Sequence, residues 1–171
     1  MEFNIDVFTD YLSKYGVITI FVVVFLEYLN LPGFPAGVIM PLSGIWFYQG
    51  GINFFFAYVV SILAGLCGSW VLYLIGFYGG TLVITKYTSK FPKHKERIEK
   101  VIKSIERKGY WGVFIGKLIP VARTLVSLPA GALRLNFYKY TFASGVGIAI
   151  WNFVLIGAGY LFGQPVINYL S

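Results

Sequence analysis

The sequence predicts an all-α integral membrane protein. Its expected architecture is an inverted repeat of two re-entrant, Pro/Gly-broken helical hairpins, each followed by a transmembrane helix, with amphipathic surface helices alongside. Three observations predict it. The 171-residue chain is 57% hydrophobic and only 12% charged, where average soluble proteins carry roughly 25% charged residues, and its mean hydropathy is +0.72. Two apolar runs are long enough to span a bilayer, and two more are too short and are interrupted by proline and glycine. The charge is also clustered, with nine of the 14 Lys and Arg inside residues 79–109. A chain of this length suits one domain, so residues 1–171 read as a single membrane domain.

Residues 3–14 place Val7, Phe8, Tyr11 and Leu12 on one helical face and Asp6, Asp10, Ser13 and Lys14 elsewhere. That pattern predicts a short amphipathic helix at the interface. Glu2, Asp6 and Asp10 stand where a signal peptide would carry basic residues, so no cleavable signal is expected. Residues 17–31 are apolar except for Glu27. At 1.5 Å per residue they reach about 22 Å, short of the roughly 30 Å hydrocarbon core. Pro32, Gly33 and Pro35 then break the run, and a second short apolar run follows from Val38 to Tyr48. Residues 17–48 are therefore expected to form the first re-entrant hairpin.

Residues 52–78 predict the first transmembrane helix. Ser61, Gly65 and Ser69 fall at i, i+4 and i+8, a stripe of small residues that lets another helix approach closely. Residues 79–109 hold nine basic residues against three Glu, and the positive-inside rule assigns them to the cytoplasm. Within them, Ile98, Val101, Ile102 and Ile105 form one apolar face over 92–108, with Pro92 at a first-turn position and Gly109 as the stop. This reads as a basic amphipathic helix on the membrane surface rather than a nucleic-acid site.

Residues 110–135 form the second broken stretch. Pro120 and Pro129 each remove a helical hydrogen bond, yet Lys117 and Arg123 lie among apolar neighbours. A cation at membrane depth costs roughly 3 kcal/mol on the insertion scale, so it is usually paired or functional. Residues 137–163 predict the second transmembrane helix, with small pairs at Ala143/Gly147 and Gly159/Gly163.

The two halves repeat. Pro32 and Pro41 are spaced like Pro120 and Pro129. Asn53, Phe54, Ser61, Gly76 and Gly80 correspond in order to Asn136, Phe137, Ser144, Gly159 and Gly163. A hairpin keeps the chain on one side and a span changes it, so the second half would be inverted. Paired broken helices in inverted repeats are the pattern of transporters, with a site near the midplane.

Enzyme chemistry finds little support in the sequence, and no catalytic residue is assigned. The only histidine, His94, lies in the basic surface segment, and no aspartate follows Asp10. Clustered carboxylates for a divalent cation are absent from the sequence, so no metal and no cofactor are expected. The single cysteine, Cys67, excludes an internal disulfide and reads as a packing residue. The charged groups left in the core are Glu27, Lys117 and Arg123, which if isolated would cost roughly 8–10 kcal/mol together. One reading is a structural ion cluster pinning the hairpins. The other is a headgroup site in which Arg123 supplies a planar fork for phosphate and Lys117 a point charge. Thr124 and Ser127 would cap the half-helix after the break, and Glu27 would balance the cations when the site is empty and carry a coupling proton.

Glu27 with LPGFPAGVIMPLSG, then GK at Gly116–Lys117, IPVART ending in Arg123 and Thr124, PAG at Pro129–Gly131, and Phe137, Gly145 and Trp151 together resemble the signature of the DedA family, also called the VTT or SNARE-associated Golgi family. The resemblance runs from about Phe25 to Trp151. Two positions depart from the family pattern: Lys117 stands where Arg is common, and Gly37 where a second acid is common. The resemblance implies a multi-pass cell-membrane protein that moves undecaprenyl phosphate or phosphatidylethanolamine across the bilayer as a flippase or scramblase, with proton coupling. The expected partner is thus a membrane phospholipid or polyprenyl phosphate, with no nucleic acid; a homo-oligomer is left open. The competing expectation is a non-transporting scaffold whose basic helix binds anionic lipid or partners.

Overall fold

The computed structural model describes residues 5–29, 40–41, 43–45, 53–120 and 122–170. Among these, all regular structure is helical. Seven helices follow in order: α1 (Ile5–Tyr28), α2 (Phe54–Lys90), α3 (Pro92–Lys108), α4 (Tyr110–Leu118), α5 (Ala122–Leu125), α6 (Ser127–Ala132) and α7 (Phe137–Leu170). Residues 40–41 and 43–45 are also helical. The expected first break, Pro32, Gly33 and Pro35, lies outside the described residues.

α2 and the Phe137–Phe162 part of α7 are each long and apolar enough to cross a membrane. Both begin on the same local device. Asn53 Oδ1 accepts from the backbone N–H of Phe55 at 2.9 Å and Phe56 at 3.4 Å. Asn136 Oδ1 accepts from Tyr138 at 3.1 Å and Lys139 at 3.2 Å. Each Asn thereby satisfies N–H groups that the first helical turn leaves unpaired.

Two of the expected helix limits lie beside sharp backbone bends. The predicted short helix over 3–14 is the first part of α1, which continues to Tyr28 through a bend at Gly16 (φ 45, ψ −115). The predicted end near residue 78 is another bend, at Gly80 (φ 55, ψ −147), after which α2 resumes to Lys90. Glycine occupies this region of positive φ without the Cβ penalty other residues carry, so the chain bends sharply at each and a second helical piece follows at once.

Close backbone approaches organise the packing. Gly76 of α2 and Gly131 of α6 face each other: a Cβ on Gly76 would strike the Leu128 carbonyl, and one on Gly131 the Tyr73 carbonyl. Gly159 of α7 and Gly44 make the equivalent crossing, against the carbonyls of Pro41 and Ile156 respectively. α1 lies on α2 where Gly65 and Gly68 meet Tyr28, a use of the small-residue stripe that also frees Ser61 and Ser69 for other partners. α4 meets α7 where Gly147 lies against the Lys117 stem.

Two apolar clusters result. One joins Ile20, Val24, Tyr28 and Met40 to Ala57, Ala64, Ile148 and Ile156. The other joins Tyr73, Val113, Ala122, Val126, Ala130 and Tyr140 to Val101 and Ile105 of α3. The apolar face of α3 is thus buried against the protein itself, while Lys95, Arg97, Lys100 and Lys103 are exposed.

The outer surface inverts the usual arrangement. Phe55, Leu63, Leu74, Phe142, Phe153 and Leu161 are exposed, whereas Glu27, Lys117 and Arg123 are buried. Apolar exposure on this scale marks contact with lipid or a partner, and on helices of spanning length it fits a bilayer.

Candidate functional site

The chain breaks between α4 and α5. Pro120 has no N–H to donate, and Ile119 before it takes an extended conformation (φ −99, ψ 124), as a residue preceding proline prefers. Within the broken stretch expected over 110–135, the non-helical part around Pro120 is short. Ile119 and Pro120 are non-helical, Ala122–Leu125 is already a helical turn, and Val126 has αR dihedrals before α6 begins. The reason lies in the local hydrogen bonds: Arg123 N donates to Ile119 O at 3.0 Å and Val126 N to Ala122 O at 2.8 Å. The chain folds back on itself, so the Val126 side chain lies on Gly116. Every residue from Ala122 to Gly131 is buried, which is the condition under which irregular backbone survives at membrane depth.

This fold-back carries both cations inward. Lys117, 1% exposed, donates through Nζ to Ser69 Oγ at 2.8 Å and Ser127 Oγ at 2.9 Å. Arg123, also 1% exposed, pairs through Nη2 with the Glu27 carboxylate and donates through Nη1 to the Tyr28 hydroxyl at 3.2 Å. Its guanidinium lies 4.8 Å from the Tyr28 ring centroid and 5.3 Å from that of Trp151. Lys117 Nζ is 5.6 Å from the same Tyr28 ring. Such stacking is worth about 2 kcal/mol when desolvated, so Tyr28 is a shared seat for both cations.

The network continues away from the charges. The Tyr28 hydroxyl donates to Asn152 Oδ1 at 3.2 Å, and Asn152 Nδ2 donates to Ser61 Oγ at 3.1 Å. Tyr140 closes the other flank by donating to Ser69 O at 3.2 Å. The result is a polar seam between the two apolar clusters. Glu27 Oε2 has no hydrogen-bond partner among the described residues.

Of the sequence candidates, the structure brings Glu27, Lys117, Arg123 and Ser127 together. Thr124 is buried beside Arg123 on α5. The capping role expected of Ser127 is corrected: α6 has Val126 at its N-cap position with no side-chain cap, and the Ser127 hydroxyl accepts from Lys117 instead. A buried ammonium needs its donors matched more than a helix end needs a cap. Pro129 and Gly131 lie in α6 against α2, and Pro120 is exposed at the break. Sequence reasoning missed Tyr28 and Asn152, read Trp151 only as part of the family signature, and read Ser61 and Ser69 only as small. Asn152 was the findable one, an amide in the middle of an apolar span. Among the described residues no group of His, Cys, Asp and Glu could hold a metal ion.

A family model for the VTT domain matches residues 34–161. Undecaprenyl phosphate transporter A of Staphylococcus aureus is 30% identical over 162 residues, covering 90% of this chain and 77% of that protein. Undecaprenyl phosphate transporter A of Bacillus subtilis is 27% identical over 130 residues, covering 76% of this chain and 66% of that protein. The B. subtilis membrane protein YkoX is 27% identical over 136 residues, with 80% and 62% covered. The chain therefore spans between 62% and 77% of these relatives. No solved structure matches. The match covers most of the chain and includes both buried cations and α2 and most of α7, so the chain belongs to the VTT-domain family, the DedA family of membrane proteins.

Proposed function

We propose that this protein moves a phosphate-bearing lipid across the cell membrane, as a flippase or scramblase, and that the buried cluster of Lys117, Arg123 and Glu27 handles the headgroup. The observation that carries this reading is the charge balance. Two cations and one carboxylate are enclosed together, and Lys117 has hydroxyl partners rather than a carboxylate. One net positive charge held away from water is costly, and an entering phosphate monoester or diester would neutralise it. The names of the two similar transporters give undecaprenyl phosphate as a first substrate to test, with phosphatidylethanolamine as the second.

In this reading Arg123 supplies the fork, Lys117 a point charge, Ser127 and Thr124 short hydroxyl contacts, and Glu27 the coupling group. A phosphate competing for Arg123 separates it from Glu27, and a buried carboxylate without its cation takes up a proton. Release of the phosphate restores the pair. This reading assigns no catalytic residue: His94 sits on the first turn of α3 and is hydrogen-bonded to Tyr87 at 3.0 Å.

We further read the fold as two inverted halves. The reciprocal crossings Gly76/Gly131 and Gly159/Gly44 support this, as do the matching Asn53 and Asn136 caps. Each half comprises a re-entrant hairpin (17–48 and 110–135) and one span (52–78 and 137–163). Residues 79–109 then lie in the cytoplasm and both termini opposite. The scaffold reading rests on the exposed basic face of α3. Purified protein in liposomes with labelled undecaprenyl phosphate or labelled phosphatidylethanolamine separates the two. Transport by wild type that survives neutralisation of Lys95, Arg97, Lys100 and Lys103 supports the lipid carrier; no movement of either lipid contradicts it.

A further inference from the structure

We infer that a lateral groove between α4 and α7 is a binding site for an anionic phospholipid, with the hydrocarbon chain along the groove and the phosphate on Lys139. The groove encloses about 590 Å³. Tyr110, Trp111 and Phe114 of α4 line it on one side, and Lys139, Phe142 and Val146 of α7 on the other. Every lining residue except Lys139 is apolar or aromatic.

The helices fix its orientation. Lys139 Nζ lies 5.7 Å from the Tyr110 ring centroid, and Gly147 meets the Lys117 stem and the Phe114 carbonyl. α4 and α7 thus run side by side from the same surface. From Lys139 to Val146 the helix rises about 10 Å, most of one leaflet's share of the roughly 30 Å hydrocarbon core. Tyr110, Trp111 and Tyr138, all lining the groove, sit at the starts of α4 and α7 beside Lys139, where aromatic residues at a membrane interface are expected.

Charge identifies the occupant. Among the described residues Lys139 has no carboxylate partner, and the exposed Arg107 and Lys108 end α3 just before Tyr110. An apolar slot open to the bilayer, with a cationic rim, complements a lipid with a negatively charged headgroup. A neutral-headgroup lipid gains nothing from that rim. The site does not depend on the buried cluster or on transport. It would hold the lipid even in a protein that moves nothing.

The test uses the full chain in phosphatidylcholine vesicles carrying a trace of chain-photoactivatable phosphatidylglycerol or phosphatidylcholine of equal chain length. Labelled peptides are then mapped. Expected is labelling of the segments holding Phe114 and Phe142, with phosphatidylglycerol favoured about five-fold, equivalent to the roughly 1 kcal/mol of one interfacial cation. Lys139→Gln should erase the preference and leave chain labelling. Val146→Trp, at an outward position, should fill the groove and abolish labelling there while other surfaces label normally. Equal labelling by both lipids in wild type and Lys139→Gln would mean ordinary boundary lipid and overturns the inference. So does protein–protein cross-linking through Phe142, which would make the groove an interface between copies.

Discussion

The Glu27 carboxylate at the end of α1 is paired with the Arg123 guanidinium on α5, and neither side chain is exposed. The pair ties the N-terminal helix to the broken stretch that follows Pro120. Breaking such a pair leaves an uncompensated buried charge, at a cost of about 3–5 kcal/mol. Arg123→Ala should therefore unfold in detergent at clearly lower temperature than wild type. Arg123→Ala combined with Glu27→Gln should recover part of the loss, because no carboxylate is left stranded. Equal melting of the single and double variants would mean that the pair carries no such coupling.

Lys117 is predicted to behave differently. Its partners are hydroxyls, and its replacement strands no opposite charge. Lys117→Met should be as stable as wild type or more so, since an apolar chain of similar length avoids the desolvation cost. Ser127→Ala, by contrast, removes an acceptor and leaves the ammonium, costing about 1.5–3 kcal/mol. Thermal unfolding of both variants checks the order; a less stable Lys117→Met would assign the lysine a structural role.

The glycine crossings give a packing prediction. Gly131→Val should fail to assemble, because the new side chain meets the Tyr73 carbonyl, where neither backbone can retreat. Overpacking of this kind costs about 1–3 kcal/mol or more. Gly157 has open space where a Cβ would go, so Gly157→Val is the matched control. Size-exclusion profiles of the two proteins should separate an aggregated product from a monodisperse one.

The charged members of the site were legible in the sequence because a charge inside an apolar run is conspicuous. Glu27, Lys117 and Arg123 each stood out that way, and Pro120 marked the break between α4 and α5, whereas Pro129 is taken into α6. Tyr28 was not legible, because an aromatic residue in a membrane helix reads as lipid-facing until its neighbours are known. Its position between two cations depends on Gly65 and Gly68 admitting it to α2. Near Gly16 and Gly80, glycine and a change of polarity signalled a helix limit, and the backbone leaves helical dihedrals at both residues before a further helical piece begins. The capping of α6 was misread because Ser127 had a stronger claim from Lys117, ten residues earlier.

Coupling is predicted to depend on the carboxylate. Glu27→Gln keeps the shape and hydrogen-bonding capacity of the side chain but cannot exchange a proton. Headgroup binding should persist, and the pH dependence of transport should disappear. A Glu27→Gln protein whose transport still follows pH as wild type does would remove Glu27 from the coupling step.

In the proposed function the buried cations handle the phosphate of a lipid substrate. It is tested most directly by lipid movement in liposomes, measured side by side for wild type and the folded Lys117→Met protein. Wild type is expected to move the phosphate-bearing lipid, and Lys117→Met, at equal stability and equal reconstitution, is expected not to. Movement at the wild-type rate by Lys117→Met would contradict it.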